Sequence, residues 1–279
     1  LRTNLKLYRH KFSVLALQEL WSVQEQIFNI DGYKKLEYRT RDQHEVKRNP
    51  NCGGGIGLFI DENLNYEILP ESIFISGVYE SIWVKIATGK NKYKIIGNVY
   101  RPNGALADLP RALQSQETMI ALIKSTPAYK KCELWICGDF NLDFLNLEQH
   151  GPTKLHYESM LARNFLPVIT RPTRVTAHSA TLIDHIFVEN AAKTRITGVI
   201  IQGLSDNFPT FIIEPGTTRG AKSLPYLRRD FNDESKSAFK KLIKSSSWET
   251  VTNEKDPKTS FDNFFTILEA SRDLAFPEV

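Results

Sequence analysis

The chain has 279 residues, 41% of them hydrophobic and 11% aromatic, with a formal net charge of +4. That is enough apolar material for one large core and one or two domains, and no apolar run approaches the ~20 residues that a membrane-spanning helix needs. The three cysteines, Cys52, Cys132 and Cys137, have neither CxxC nor Cys/His metal spacing. This excludes a disulfide scaffold and a zinc framework, and it fits a reducing compartment.

The opening LRTNLKLYRHKF reads as the start of a helix and lacks the apolar segment of a signal peptide. FSVLALQE then predicts a strand ending at Glu19, and RTRDQHEVKRNPNC carries Arg39, Arg41, Lys47 and Arg48 in a polar stretch without periodicity. GGGIGLFI, YESIWVKIAT and KYKIIGNVY follow as strands rich in β-branched and aromatic residues. LPRALQSQETMIALIKS predicts a helix with Leu109, Leu113, Ile120 and Ile123 near a 3.6 period. CELWICGDF is the next strand, and KLHYESMLARNF the next helix, with Leu155, Met160 and Leu161 on its apolar side. TLIDHIFV, ITGVIIQG and FPTFIIE complete the strands.

Some strands alternate, as Ile82, Val84 and Ile86 do against Trp83 and Lys85, while LWIC and GVII are apolar on both faces. The mixture predicts sheets packed on one another with helices outside, an α/β sandwich. From residue 215 the composition shifts to a basic connector, GTTRGAKS. Two helices are predicted beyond it: DESKSAFKKLIKS, capped by Asp233 with Phe239, Leu242 and Ile243 on one face, and SFDNFFTILEASRDLAF, with Phe261, Phe264, Phe265 and Leu268. Residues 1–214 are therefore expected to form the main domain. Residues 215–279 are too few for a core of their own and are expected to lead toward a further domain.

The chemistry-bearing residues fall at strand ends. In WICGDFNLD, alternation puts Asp139 and Asn141 on one face, where a carboxylate and an amide could hold a phosphate, a water or a hard cation; a plain β-turn would look much the same. Asp184 lies inside an apolar strand, where an ionised carboxylate needs a partner. His185 points to the opposite face and reads as a satisfied strand histidine. Glu19, Tyr100 and Arg101 close their own strands, and LSDNFPTFI sets Asp206 and Asn207 before another, as a turn or as the edge of a site. Together these make an oxygen-rich set without a Cys/His cluster, suited to Mg²⁺-assisted attack of water on a phosphate ester. Arg101, Arg171 and Arg174 lie close to prolines in predicted loops, as solvated charges unless a phosphate-processing site is nearby.

The order LQEL, NVYRPN, GDFNLD, SATLIDHIF and LSDNFP resembles the motifs of the endonuclease/exonuclease/phosphatase superfamily. RPTRVTAHSATLIDHIF and the helical tail are similar to the apurinic-endonuclease-like domain of non-LTR (LINE-type) retrotransposon polyproteins. The resemblance implies a DNase I-like four-layered α/β sandwich of two packed, mostly antiparallel sheets. It implies that Glu19 binds catalytic Mg²⁺ (or Mn²⁺), with Asp206 close to the metal or to the catalytic hydrogen bonds. Tyr100 would contact the scissile phosphate, Asp139 and Asn141 would position the attacking water, and Asp184 would orient residue 207. Arg101, Arg171 and Arg174 would hold double-stranded DNA. The implied partner is the reverse transcriptase of the same polyprotein, the implied place the nucleus, and no membrane is involved.

The sequence departs from this pattern in two places. Where the family carries Ser-Asp-His, residues 205–207 are Ser-Asp-Asn, and an amide cannot act as a general base. The family's first strand, with its active-site Asn, would precede residue 1. The expectation is a slow or inactive metal-dependent DNA endonuclease. The alternatives are a non-catalytic DNA-docking module or a phosphatase of the same superfamily.

Overall fold

A computed structural model describes residues 11–21, 29–41, 54–103, 108–189, 193–203, 205–214, 229 and 232–277. The helix expected to begin in LRTNLKLYRHKF, Lys47, Arg48, Cys52 and the basic connector GTTRGAKS lie outside the described residues. The chain forms two compact units, Leu1–Gly216 and Thr217–Val279.

The first unit contains two main sheets. The smaller joins β1 (Val14–Gln18), β3 (Ile56–Ile60) and β2 (Glu37–Arg39), all antiparallel. The larger includes β4 (Tyr66–Ile68), β5 (Phe74–Ile75), β6 (Tyr79–Gly89), β7 (Lys92–Tyr100), β8 (Glu133–Asp139), β9 (Phe165–Pro167) and β12 (Asp184–Glu189). Its order is β4-β6-β7-β8-β12-β9, with β5 also on β6, and β7 and β8 are its parallel pair. Helix α1 (Leu109–Ser125) supplies the crossover that a parallel pair requires. Helix α2 (Gly151–Ala162) joins β8 to β9. Two further antiparallel pairs stand among the described residues: β10 (Arg174–Val175) with β11 (Ala180–Thr181), and β13 (Ile196–Val199) with β14 (Thr210–Ile213).

The period-2 alternation of β6 accounts for the layering. Ile82, Val84 and Ile86 pack with Ile56, Leu58 and Ile60 between the two sheets. Trp83 faces the other way, into a core with Ile95, Val99, Leu134 and Ile136 that Met119, Ile120 and Ile123 of α1 cover. Both faces of the large sheet are therefore dry. The strands predicted from apolar runs are present. Short β2, β4, β5, β9, β10 and β11 were not predicted, because two or three residues carry no periodicity and their neighbours hold them.

Helix α2 corrects one expectation. It buries Thr153, His156 and Met160, spaced as one helical face, whereas Leu155 is exposed and so is Leu161. His156 packs instead into an aromatic cluster with Phe140, Phe144 and Phe187.

The second unit holds α3 (Asp233–Ser245), α4 (Glu249–Thr252) and α5 (Pro257–Ala275). Asn232, not Asp233, caps α3, its side chain accepting from Ser235 N–H at 2.8 Å. Phe239 meets Phe276 and Trp248 meets Phe264, while Phe261 and Phe265 remain exposed on α5. The aromatic side of α5 is thus only partly buried. No described helix is long and apolar enough to cross a membrane.

Candidate active site

Register brings four side chains into one row at an end of the large sheet. Glu80 is the partner of Tyr100 across β6–β7, Tyr100 of Asp139 across β7–β8, and Asp139 of Asp184 across β8–β12. Tyr100 lies on the same face as the inter-sheet residues Ile82 and Val84. At Gly138 the backbone adopts φ +143°, and a Cβ there would lie 1.8 Å from the Val99 carbonyl oxygen. Only glycine allows β8 to press this closely on β7 just before Asp139.

Asp139 is buried. Its Oδ1 accepts from Asn141 N–H at 2.9 Å, and its Oδ2 accepts from Asn207 Nδ2 at 3.4 Å. The same Nδ2 donates to Asp184 Oδ1 at 3.3 Å. Two carboxylates can only accept, so the amide must turn its nitrogen toward both of them. Asn207 is delivered by a short bridge to Arg174, and Phe208 N–H donates to Thr173 O at 2.6 Å. Thr173 is fully buried and its hydroxyl accepts from the N–H groups of Ile183 and Asp184, each at 3.2 Å. This residue of RPTR therefore organises both Asp184 and Asn207; the sequence carried it only as part of a motif.

Burial, and then the Asp184 charge, hold Asp139 well above the usual carboxylate range; Asn141 N–H opposes this, Glu19 adds to it, and Arg101 opposes it. Burial likewise pushes Asp184 up to about 6, against the hydrogen bonds from Thr173 and Asn207. Tyr100 stays protonated through burial and through its bond to Glu19 Oε1 at 2.5 Å. Glu19 is exposed at the end of β1 with φ 54°, and its Oε2 accepts from Trp21 Nε1 at 3.2 Å. Trp21 is itself exposed and was not anticipated as a neighbour of the site.

Glu80 is fully buried, bonded to Arg41 Nε and to the N–H groups of Gly55 and Gly77. Arg41, expected as a solvated loop charge, is buried and stands 6.0 Å from the Tyr100 ring centroid. Arg101, expected at the DNA surface, is also buried. Its guanidinium donates to the carbonyls of Phe140, Asn141 and Pro102, because the loops after β7 and β8 leave carbonyls without ladder partners. Asn141, at φ 49°, answers by donating its side-chain amide to Arg101 O at 2.8 Å. It braces this corner as well as the Asp139 carboxylate.

Asp206, expected near a metal, is exposed and its Oδ2 meets Arg174 Nη2 at 2.6 Å. Arg171 is exposed. Among the described residues no group of three His, Cys, Asp or Glu could hold a metal ion. His185 is buried, its Nε2 bonded to Leu142 O at 3.0 Å, and burial pushes it down to about 4, as a neutral strand histidine.

The donor set nonetheless fits a hard cation held by few protein ligands. Mg²⁺ is ordinarily bound through one or two carboxylates with water and phosphate completing its shell. Glu19 is the residue that would hold it, and the repulsion that Asp139 feels from Asp184 and Glu19 is what a cation there would relieve.

The fold is one that a class of phosphoester hydrolases shares. The chain belongs to the endonuclease/exonuclease/phosphatase family, whose model matches residues 3–206. Members are hydrolytic nucleases and phosphatases, and divalent metals are typical of them. The endonuclease domain of TRAS1, a telomere-specific non-LTR retrotransposon, is similar in structure, with a TM-score of 0.54 and 13% identity over 74% of this chain and 87% of that one. The human Nocturnin catalytic domain aligns with a TM-score of 0.48 and 15% identity over 72% and 81%. A mannosyl-6-phosphatase from Bacteroides thetaiotaomicron aligns with a TM-score of 0.45 and 13% identity over 66% and 78%. The fold is the DNase I-like α/β sandwich. No curated protein matches the chain in sequence.

Proposed function

We propose that the chain is a divalent-metal-dependent DNA endonuclease of retrotransposon type, nicking target DNA so that the 3′-hydroxyl primes a reverse transcriptase of the same polyprotein. This would take place in the nucleus. The observation that carries the reading is the row in which Asp139 and Asp184 share one amide beside Tyr100 and Glu19. The similarity to the TRAS1 endonuclease domain supports DNA as the substrate.

Bound Mg²⁺ or Mn²⁺ would polarise the phosphate and stabilise charge in the transition state. Tyr100, held protonated, has one O–H, now donated to Glu19, which a phosphate or leaving-group oxygen would take over. Asp139, whose proton affinity is raised by burial and by Asp184, can take the proton of an attacking water. Asn207 holds both carboxylates but transfers no proton, which lowers the rate by roughly 10²- to 10⁴-fold against a positioned acid-base group. Exposed Arg171 and half-exposed Arg174 supply phosphate contacts whose strength falls with salt.

The test is nicking of supercoiled plasmid by the purified chain with Mg²⁺, lost in EDTA. An absence of product after long incubation, also for Asn207→His, removes the reading. Asn207 also favours a second one, a DNA-docking module without chemistry; duplex binding of equal strength in EDTA and in Mg²⁺, with no cleavage, would establish it.

A further inference from the structure

Asn98 lies two residues before Tyr100, on the same face of β7, and is fully buried between the sheets. Its Nδ2 donates to Leu17 O at 2.9 Å and to Gly57 O at 3.0 Å, and its Oδ1 accepts from Gln18 Nε2 at 2.5 Å. Leu17 and Gly57 are partners in the β1–β3 ladder. One side chain of the large sheet therefore grips two adjacent strands of the small sheet, β1 and β3, at one point.

The partners of Asn98 within its own sheet are Ile82 and Cys137. Among the described residues no side-chain bond of Asn98 goes to its own sheet, and burying an amide costs free energy unless it is fully bonded. Its two donors and its acceptor are all used toward the other sheet. Glu19 follows Leu17 by two residues, as Tyr100 follows Asn98, and the two side chains meet through the Tyr100–Glu19 hydrogen bond. The amide thus fixes the gap across which Glu19 reaches Tyr100, at the point where β1 ends and the backbone turns to positive φ.

We propose that Asn98 is a positioning residue that sets the cation affinity of Glu19 by pinning β1 and β3 to β7. This rests on Glu19 as the cation ligand of the proposed endonuclease. Groups that orient a metal ligand from behind are typically worth 10- to 100-fold in affinity.

The experiment measures Mn²⁺ binding to the full chain by electron paramagnetic resonance, with circular dichroism and melting curves as checks of folding. Folded Asn98→Leu is expected to bind Mn²⁺ about tenfold or more weakly. The Mg²⁺ needed for half-maximal nicking should rise by a similar factor. Folded Asn98→Leu with wild-type Mn²⁺ affinity overturns the inference. If Asn98→Leu does not fold, Gln18→Met decides, since it removes one of the three bonds: weaker Mn²⁺ binding supports the inference and unchanged binding overturns it. A wild-type chain that binds Mn²⁺ while neither it nor Asn207→His nicks DNA ends the endonuclease reading, and the comparison of Mn²⁺ affinities still decides the role of Asn98. A wild-type chain that binds no Mn²⁺ overturns the inference itself.

Discussion

Asp139 and Asp184 stand opposite each other across the β8–β12 ladder and share a single donor, the amide of Asn207. Both carboxylates have raised proton affinity, chiefly through burial, with the Asp184 charge adding to it at Asp139 and the Asp206 charge at Asp184, while the group they share is neutral. An imidazolium in that position would give the pair a compensating charge; an amide gives hydrogen bonds only.

Asn207→His should therefore raise nicking by roughly 10²-fold or more at neutral pH. Timed conversion of supercoiled to open-circular plasmid reads this directly. An unchanged rate would mean that residue 207 does not limit the chemistry.

Asp184→Asn should stabilise the fold at alkaline pH. The folded-state value is raised to about 6 from 3.8, so the carboxyl favours folding below its unfolded value and loses that contribution as pH rises through the folded one. The gain for the variant, of order 1–3 kcal/mol, should be present at pH 8 and shrink toward pH 4. Melting temperatures of both proteins across that range check the sign.

Acid should act in the opposite sense through the buried histidines. Burial pushes His156 down to about 3 and His185 down to about 4. Their contribution is complete above about pH 6.5, the unfolded value, and is lost as pH falls through the folded values. Among the described residues His156 Nε2 has no hydrogen-bond partner, and the ring packs on Phe140, Phe144 and Phe187. His156→Leu should accordingly flatten the loss of stability between pH 6.5 and 4, as urea titrations would show.

Gly138→Ala should disrupt the site from within the sheet. Its Cβ would have to enter the space of the Val99 carbonyl at a φ that L-residues rarely adopt. A loss of about 2 kcal/mol or more in urea unfolding is expected, with loss of nicking wherever the fold survives. A variant as stable as wild type would show that β7 and β8 can separate freely.

The strands and most helices were legible because their signal is local: a β-branched run or a 3.6-residue period belongs to one segment. The same logic marked Asp184, an acid inside TLIDHIFV, and named the strand-end residues now found in or beside the row. Leu155 shows its limit, since the periodicity of α2 placed it inward whereas the site of burial favoured His156 beside Phe140. Arg41 and Arg101 look like any loop cations in sequence. Their burial depends on Glu80 and on carbonyls freed at two strand ends, groups about 40 residues away along the chain. That Asp139 meets Asp184, and that Asn98 clasps a second sheet, likewise follow from register between distant strands. Alternation in one strand tells which face a residue takes; only the meeting of strands decides what stands opposite, and so which charges lose their water.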